Sequence, residues 1–223
     1  MISNPMSSLK ILPGVYLLDV DGQKRLATKS ADSVPVYGER IREGYRFWDP
    51  FRSKLAGFLH KNKGKGLNLS SDAKVLYLGA ATGTTVSHIS DIVADGLVYA
   101  VEFSPRSMRD LVRLCERRHN IVPILADAAK PEEYSYLVEI VDLVYQDIAQ
   151  RNQAEIASLN CLRYLKPGGD LLLMMKTRSI DVTASPAEIL SLEIKNLKGL
   201  NLLEVMDLLP FHQDHWAVQA RRP

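Results

Sequence analysis

The chain has 223 residues, of which 46% are hydrophobic and 24% are charged, and its formal net charge is +2. These proportions are ordinary for a soluble globular protein, and they exclude a low-complexity or disordered chain. No apolar stretch approaches the roughly 18 residues that a membrane span needs, and the first ten residues lack the apolar core of a signal peptide. We therefore expect an intracellular protein with one medium domain, an appendage and no membrane partner.

Charge is distributed unevenly along the chain. Residues 1–65 contain 12 Lys and Arg against 6 Asp and Glu, whereas the remaining residues contain 16 against 20. A basic front part is typical of a protein that contacts a polyanion on one side. The two cysteines, Cys115 and Cys161, fall within helical patterns without metal-ligand spacing, so neither a disulfide nor a metal site is predicted.

The first 48 residues predict a small β-rich N-terminal domain. Residues 15–20 have a strand pattern, Asp21-Gly22 is a strong turn signal, and a second strand runs through Leu26. Asp49 and Pro50 then predict the N-cap and first residue of a helix that carries Phe51 on its apolar stripe. The aromatic residues around this point are expected to join the two parts of the chain.

From Lys74 onward the pattern alternates between apolar strands and amphipathic helices. Such alternation predicts an α/β domain at residues 49–223, with a doubly wound, mostly parallel, seven-stranded, Rossmann-like sheet. The last two strands are too close together for a helical crossover, so the final strand should run antiparallel to its neighbour. The predicted strands are 75–78, 97–101, 121–125, 141–145, 171–175, 202–205 and 215–219. The predicted helices are 85–93, 105–118, a short helix after Pro131, 152–165 and 185–198.

The segment KVLYLGAATGTT at residues 74–85 predicts a strand, a tight turn and the start of a helix. Gly79 and Gly83 let the backbone approach a ligand, while Thr84 and Thr85 stand at a helix N-terminus. Glu102 follows the next strand, where a carboxylate can accept both hydroxyls of a ribose. Together these residues predict a nucleoside site, with a structural turn that binds nothing as the alternative.

The spacing of the glycines favours one class of nucleoside ligand. Ala81 occupies the position where the dinucleotide motif G-x-G-x-x-G needs its second glycine, so a diphosphate cofactor is disfavoured. The spacing G-x-x-x-G with a downstream acid is instead similar to the first motifs of class I S-adenosylmethionine-dependent methyltransferases. Further candidate site residues follow the strands at the same predicted edge of the sheet, at Phe103, Asp127, Ala128, 147–150 and Lys176.

Longer segments resemble the fibrillarin family over essentially the whole chain. They include GYRFWDPFRSKLAGF, KVLYLGAATGTTVSHISDIV, GLVYAVEFSPRSMRDL, YQDIAQRNQ, KPGGDLLLMMKTRSID and PFHQDHWAV. The resemblance implies an S-adenosylmethionine-dependent RNA 2′-O-methyltransferase, the catalytic subunit of box C/D ribonucleoproteins. Its implied partners are a Nop5-type scaffold protein, the kink-turn binder L7Ae, a guide RNA, and rRNA and tRNA substrates. Without a Gly/Arg-rich extension the chain is similar to the archaeal form, for which a cytoplasmic location is expected, whereas a eukaryotic member would be nucleolar.

The resemblance also assigns roles to residues. It implies a catalytic set of Lys54, Asp147, Lys176 and His215, with His212 as a second candidate for the histidine. It leaves open which lysine, if either, acts as a general base. The implied cofactor-binding residues are Gly79, Ala81, Thr84, Thr85, Glu102, Phe103, Asp127, Ala128, Asp147 and Gln150.

Two other functions are compatible with the same pattern. One is a methyltransferase of a protein or small molecule, which would need the cofactor half but not Lys54, Lys176 and the basic front part. The other is a scaffold subunit that keeps the fold without catalysis. Because no base-reading module is visible, an RNA enzyme of this kind should contact backbone and ribose while guide pairing selects the nucleotide.

Overall fold

The computed structural model describes residues 8–30, 32 and 34–223, which form two β-sheets that share an apolar core. Residues 1–7, 31 and 33, which belong to the predicted N-terminal domain, lie outside the described residues. The shared core includes Leu17 and Leu26 from the first sheet, and Val86 and Ile89 from a helix of the second. Apolar packing thus continues across the predicted boundary at residues 48 and 49, whose status as a domain boundary stays a prediction.

The smaller sheet is antiparallel and comes from the N-terminal part of the chain. In the described residues its strand order is β1-β2-β3-β5-β4. The predicted hairpin is confirmed as β2 and β3, joined at Asp21 and Gly22, which both have positive φ (54° and 77°), as a two-residue hairpin turn of this hand requires. The strands are β1 Ser8–Leu12, β2 Val15–Val20, β3 Gln23–Lys29, β4 Ile41–Arg42 and β5 Tyr45–Phe47.

The larger sheet confirms the predicted doubly wound architecture. Within the described part of the chain it has seven strands in the order β11-β12-β10-β9-β6-β7-β8. Neighbours from β10 to β8 are parallel, whereas β12 is antiparallel to both β10 and β11, as expected. The strands are β6 Lys74–Leu78, β7 Leu97–Glu102, β8 Ile121–Leu125, β9 Val141–Gln146, β10 Leu165–Lys176, β11 Asn201–Asp207 and β12 His215–Arg221.

Helices cover both faces of this sheet, and most begin and end within one or two residues of the prediction. The third ends at Cys115 rather than at 118, and the short α5 was not predicted. The helices are α1 Lys54–Asn62, α2 Thr84–Ile92, α3 Pro105–Cys115, α4 Gln153–Tyr164, α5 Thr177–Ile180 and α6 Pro186–Asn196, with a 3₁₀ turn at Pro131–Tyr134. Residues 166–169 lie inside β10, where the pairing with β9 is irregular between Leu165 and Asp170.

The predicted start of the first helix was wrong. Asp49 closes a tight turn instead, because its carbonyl oxygen accepts from the amides of Arg52 and Ser53, and its side chain accepts from the Phe51 amide at 2.8 Å. The helix begins at Lys54, and Ser53 is its N-cap. Phe51 is consequently 62% exposed rather than part of the buried stripe. Asp-Pro initiates turns as well as helices, and here the turn prevailed.

A buried ionic cluster joins the two sheets through α2. The Arg46 guanidinium is fully buried between Glu39 (2.6 Å) and Asp91 (2.7 Å). Asp91 also binds Arg118 at 2.7 Å and accepts from the Thr28 hydroxyl at 2.7 Å. Because each charge has an opposite partner, the cluster avoids the cost of an isolated buried ion.

Trp48 and His88 form the aromatic part of the same joint. Their rings stack with centroids 4.5 Å apart, and both side chains are buried. The His88 Nδ1 is 2.8 Å from the Thr28 hydroxyl, and its Nε2 is 2.8 Å from the Tyr37 hydroxyl. The prediction that aromatic residues join the two parts is therefore confirmed for Trp48.

Candidate active site

The candidate site lies where the strand order of the large sheet reverses direction, between β6 and β9. In doubly wound sheets the crevice at the carboxyl ends of such strands is the usual ligand position. Gly79 follows β6 and Asp147 follows β9, and a Cβ on Gly79 would collide with the Asp147 carbonyl oxygen. Gly79 has φ of 87°, so glycine is needed here both for backbone conformation and for close approach.

A cavity of about 240 Å³ opens at this point and contains most of the predicted cofactor residues. A larger cavity of about 660 Å³ runs along α4 and α6, but its lining contains none of the predicted residues, so chemistry rather than size identifies the site. The smaller cavity is lined by Gly79, Ala81, Val101, Glu102, Phe103, Ala126, Ala128, Asp147, Ile148, Ala149 and Gln150.

Glu102 is held firmly at the mouth of this cavity. One carboxylate oxygen accepts from the Ala81 amide at 2.7 Å and the other from the Ser104 amide at 2.7 Å. An ionised carboxylate has about four acceptor positions, so two remain for ligand hydroxyls. The glutamate is thus oriented by backbone and still able to bind both hydroxyls of a ribose.

Three of the predicted cofactor residues are absent from the lining of this cavity. Asp127 precedes the lining residue Ala128 and accepts from the Ala129 amide at 2.9 Å. Thr84 faces a separate cavity of about 400 Å³ that is also lined by Tyr37 and Arg113. Thr85 is 8% exposed, and its hydroxyl lies 2.9 Å from that of Ser53.

Lys54 and Asp147 meet at the edge of the cavity. The Lys54 Nζ is 2.8 Å from one oxygen of Asp147 and 3.0 Å from the other, and both side chains keep about a fifth of their surface exposed (21% and 22%). Because Asp147 also lines the cavity, the pair connects the cofactor pocket with α1. Sequence reasoning placed both residues at the site but did not predict their direct contact.

His215 and Lys176 are direct neighbours across the ladder of β10 and β12. The His215 Nδ1 is 2.6 Å from the Gln213 carbonyl oxygen, which can only accept, so Nδ1 carries a hydrogen. Burial, reinforced by the nearby Lys54 charge, lowers the pKa of His215 below its ordinary value. The ring is therefore largely neutral at pH 7, with a lone pair on Nε2.

His212 lies beside His215 and packs against α1 at Gly57. Its ring centroid is 5.9 Å from that of His215, and it would contact a Cβ placed on Gly57. Burial and the Lys54 charge lower its pKa as well. Its Nε2 is buried and has no hydrogen-bond partner among the described residues. The arrangement thus brings both candidate histidines near Lys54.

Sequence reasoning missed two tyrosines that lie beneath the site. Tyr77 of β6 and Tyr145 of β9 are directly paired, with ring centroids 4.6 Å apart and almost complete burial. Burial and the negative charge of Asp147 raise the pKa of both hydroxyls well above the ordinary value. A tyrosine at the next-to-last position of a largely apolar strand was the available signal.

The basic residues among positions 1–65 differ in their surroundings. Arg46 belongs to the interior cluster, and the Lys61 amine donates to the carbonyl oxygens of Asp207 and Leu209 at 2.5 and 2.7 Å. Exposed basic residues instead surround a cavity of about 410 Å³ on the N-terminal sheet, at Lys24, Arg25, Arg40 and Arg52.

Neither a metal centre nor a membrane span emerges from the described ranges. Within residues 8–30, 32 and 34–223, no group of three or more His, Cys, Asp and Glu side chains is placed to hold a metal ion. No helix there has both the length and the apolarity to cross a bilayer.

Comparison with known families agrees with this geometry. Residues 6–223 match the model of the Fibrillarin family. The chain belongs to the fibrillarin family. It is 54% identical over 213 residues to the fibrillarin-like rRNA/tRNA 2′-O-methyltransferase of Methanothrix thermoacetophila, with 96% of this chain and 98% of that protein covered.

Solved fibrillarin structures have the same fold as this chain. The fibrillarin/Nop5p complex matches with a TM-score of 0.90 and 46% identity, covering 96% of this chain and 100% of the other. Aeropyrum pernix fibrillarin, solved with natively bound S-adenosyl-L-methionine, matches with a TM-score of 0.88 and 45% identity, covering 97% and 98%. The predicted class I methyltransferase fold and the predicted family are both confirmed.

Proposed function

We propose that this protein is an S-adenosylmethionine-dependent RNA 2′-O-methyltransferase that modifies guide-selected nucleotides of rRNA and tRNA. Its relatives in the fibrillarin family carry that activity in their names, and one solved relative holds S-adenosyl-L-methionine. The observation that carries the proposal is the contact between Lys54 and Asp147, because Asp147 also lines the cavity that contains Glu102. Asp147 therefore belongs both to the cavity suited to the cofactor and to the ion pair whose lysine is suited to bind the acceptor.

The residues of the cavity fit the cofactor. Glu102 has acceptor positions left for the ribose hydroxyls, and the exposed ring of Phe103 beside the small Ala128 leaves room for a flat base. Gly79 keeps the cavity floor free of a side chain. When bound, S-adenosylmethionine supplies an electrophilic methyl group, so the main task of the protein is to align the acceptor oxygen with it.

Lys54 and Lys176 are proposed to hold the acceptor nucleotide. Lys54 comes from the first residue of α1, and Asp147 fixes the position of its amine. Lys176 ends β10 at the same edge of the sheet, and its backbone amide donates to the Gln153 side-chain oxygen at 3.0 Å. The two ammonium groups are suited to bind the phosphate or ribose oxygens beside the reacting hydroxyl.

His215 is proposed to accept the proton of the 2′-hydroxyl. The hydrogen on Nδ1 is committed to the Gln213 carbonyl oxygen, which leaves the Nε2 lone pair available. The lowered pKa keeps the ring unprotonated at neutral pH, as a general base requires. His215, rather than Lys54 or Lys176, is then the proposed general base.

The remaining partners follow from family membership. A Nop5-type scaffold is supported by the solved fibrillarin/Nop5p complex, and L7Ae and a box C/D guide RNA complete the proposed particle. The exposed basic residues around Arg40 and Arg52 are suited to the RNA backbone, whose phosphates offer charge without base identity. We place the particle in the cytoplasm, as expected for the archaeal-type form.

A reconstituted methyl-transfer assay tests the proposal. The chain is combined with labelled S-adenosylmethionine, scaffold protein, kink-turn binder, guide RNA and a complementary RNA, and the modified ribose is mapped. Methylation of one guide-defined 2′-hydroxyl is expected, and omission of the guide should abolish it. Cofactor turnover on protein or small molecules alone would favour the other type of methyltransferase, and cofactor binding without turnover would favour a scaffold role.

A further inference from the structure

Thr85 and Ser53 connect the cofactor turn to the helix that carries Lys54. Their hydroxyl oxygens are 2.9 Å apart, and both residues are buried, at 8% and 2% exposure. Thr85 belongs to the first turn of α2, immediately after the glycine-rich turn, whereas Ser53 precedes α1. The contact therefore joins two segments that serve different halves of the site.

Ser53 determines where α1 begins. It has extended backbone dihedrals, and its hydroxyl accepts from the Ala56 amide at 3.3 Å, so it is the N-cap of the helix. Lys54 is the next residue, and the position of its Cα follows from that of the cap. Because the Ser53 oxygen accepts from Ala56, it still has its own hydrogen to donate to Thr85.

Thr85 is itself fixed by the packing of α2. Gly83, the N-cap of α2, lies so close to Leu114 that a Cβ there would meet its side chain at 2.5 Å. One turn further along, the Ser87 hydroxyl accepts from the buried Arg46 at 2.9 Å. The helix is therefore held at both ends of its first turn, and Thr85 offers a rigid point of attachment.

We infer that Thr85 is a positioning residue, which acts through the Ser53 cap to set Lys54 against Asp147. This role differs from that of a cofactor ligand, which the family resemblance implies for the pair Thr84 and Thr85. The distinction concerns the Thr85 side chain, whose hydroxyl is engaged with that of Ser53. The catalytic consequence rests on the proposed function, whereas the structural link does not.

The chain offers variants that separate the two roles. Thr85→Val removes the hydroxyl with little change of volume, and Thr85→Ser restores it. Ser53→Gly removes the partner hydroxyl, while glycine remains an acceptable N-cap residue. Ser158→Ala is a matched control, because it deletes another buried hydroxyl that bonds the Ala154 carbonyl oxygen on α4, away from the site.

The first measurement is single-turnover methylation by assembled particles at saturating cofactor. Thr85→Val is expected to lower the rate about 10- to 100-fold, the scale of a small misplacement of a reacting group. Calorimetry should show the dissociation constant for S-adenosylmethionine within about twofold of wild type. Thr85→Ser should recover most of the rate, and Ser158→Ala should leave the rate unchanged. Because Thr85 and Ser53 act through one contact, the double variant Ser53→Gly with Thr85→Val should be no slower than the slower of the two single variants.

The second measurement is hydrogen exchange of peptides covering residues 50–62 in the isolated chain. Thr85→Val should speed exchange in the first turn of α1 about 5- to 10-fold, the effect of one lost hydrogen bond. Weakened cofactor binding with unchanged exchange would overturn the inference and make Thr85 a ligand, and additive losses in the double variant would also contradict it. If wild-type particles transfer no methyl to RNA, the proposed function fails, while the exchange measurement still decides the link.

Discussion

Lys54 and Asp147 are 93 positions apart in the chain, yet the lysine amine lies 2.8 Å from the aspartate carboxylate. Lys54 reaches this point from a helix before the large sheet, and Asp147 from the end of its fourth strand. The ion pair is partly solvated, so its value for stability alone is small. The position of the ion pair beside the cofactor cavity makes it important for function instead.

Lys54→Ala should lower single-turnover methylation about 10²- to 10⁴-fold, the usual range for a positioned proton-transfer or charge-stabilising group. Cofactor affinity should change little, because the lysine does not line the cavity. The rate is measured at saturating cofactor on particles whose assembly is verified by gel shift. Lys63→Ala, which removes an exposed amine from the end of the same helix, is the control. A near wild-type rate for Lys54→Ala would remove this residue from the mechanism.

Glu102→Ala should weaken S-adenosylmethionine binding by about 1–3 kcal/mol, the scale for loss of a charged hydrogen-bond partner. The carboxylate also organises the turn through the amides of Ala81 and Ser104, so part of this loss is expected from a looser turn. Isothermal calorimetry gives the dissociation constant, and the exposed Glu116→Ala serves as control. An unchanged constant in a folded Glu102 variant would show that this carboxylate does not hold the ribose.

Asp91→Ala should reduce the free energy of unfolding by about 3–5 kcal/mol, since it leaves two buried guanidinium groups without their shared partner. Arg46 would retain the Glu39 carboxylate, whereas Arg118 would keep the longer contact with the Asp32 carboxylate at 3.3 Å and its bonds to neutral oxygens of Ser87 and Ser90. Urea denaturation followed by circular dichroism measures the change. Asp110→Ala, which breaks an exposed pair with Arg113, should cost less than about 1 kcal/mol. Similar losses in the two variants would contradict the importance of the cluster.

Acid should destabilise the joint between the sheets through His88. Burial and the charges of Arg46 and Arg118 hold the pKa of His88 well below its ordinary value of 6.5. The unfolded chain therefore binds the proton more readily. The neutral ring makes its full contribution to the free energy of unfolding above about pH 6.5, the ordinary pKa. Below that pH the contribution falls by at most about 1.4 kcal/mol per pH unit, until the pH reaches the pKa of His88 in the folded protein.

The hydrogen bonds of His88 give the reason for this sensitivity. The Thr28 hydroxyl donates to Asp91, so it accepts from Nδ1, and Nε2 must accept from Tyr37. A protonated ring would lose the second bond. Unfolding free energies measured from pH 5 to 7 should slope less steeply in His88→Gln than in wild type. Parallel slopes would place the acid-sensitive group elsewhere.

Exposed basic residues on the N-terminal sheet should control the salt dependence of RNA binding. Replacing Lys24, Arg25 and Arg40 by alanine should reduce the slope of log affinity against log salt by about 0.7–0.9 for each lost phosphate contact. Particles and substrate RNA are titrated at several salt concentrations. Lys61→Ala is the informative control, because its amine is bound by backbone carbonyl groups and its loss should leave the slope unchanged. A reduced slope in the control alone would reverse this assignment.

The sequence determined the local and periodic features of this protein. The alternation after Lys74 predicted the parallel sheet, and its sharp strand ends predicted the positions of Gly79, Glu102 and Asp147, because the carboxyl ends of parallel strands necessarily share one edge. The Asp21-Gly22 turn was predictable for a similar reason, since few residues adopt two successive positive φ angles. Each of these features depends on neighbours within a few residues.

Only the tertiary structure decided which distant side chains meet. Residues from separate elements meet in three places. Arg46 is buried against Asp91, the hydroxyls of Ser53 and Thr85 are in contact, and the Lys61 amine donates to the Asp207 carbonyl oxygen. A basic or hydroxyl side chain has the same local signature whether it faces solvent or an interior partner. Its environment is set by how the two sheets pack, and that packing energy is summed over many apolar contacts that no short stretch of sequence contains.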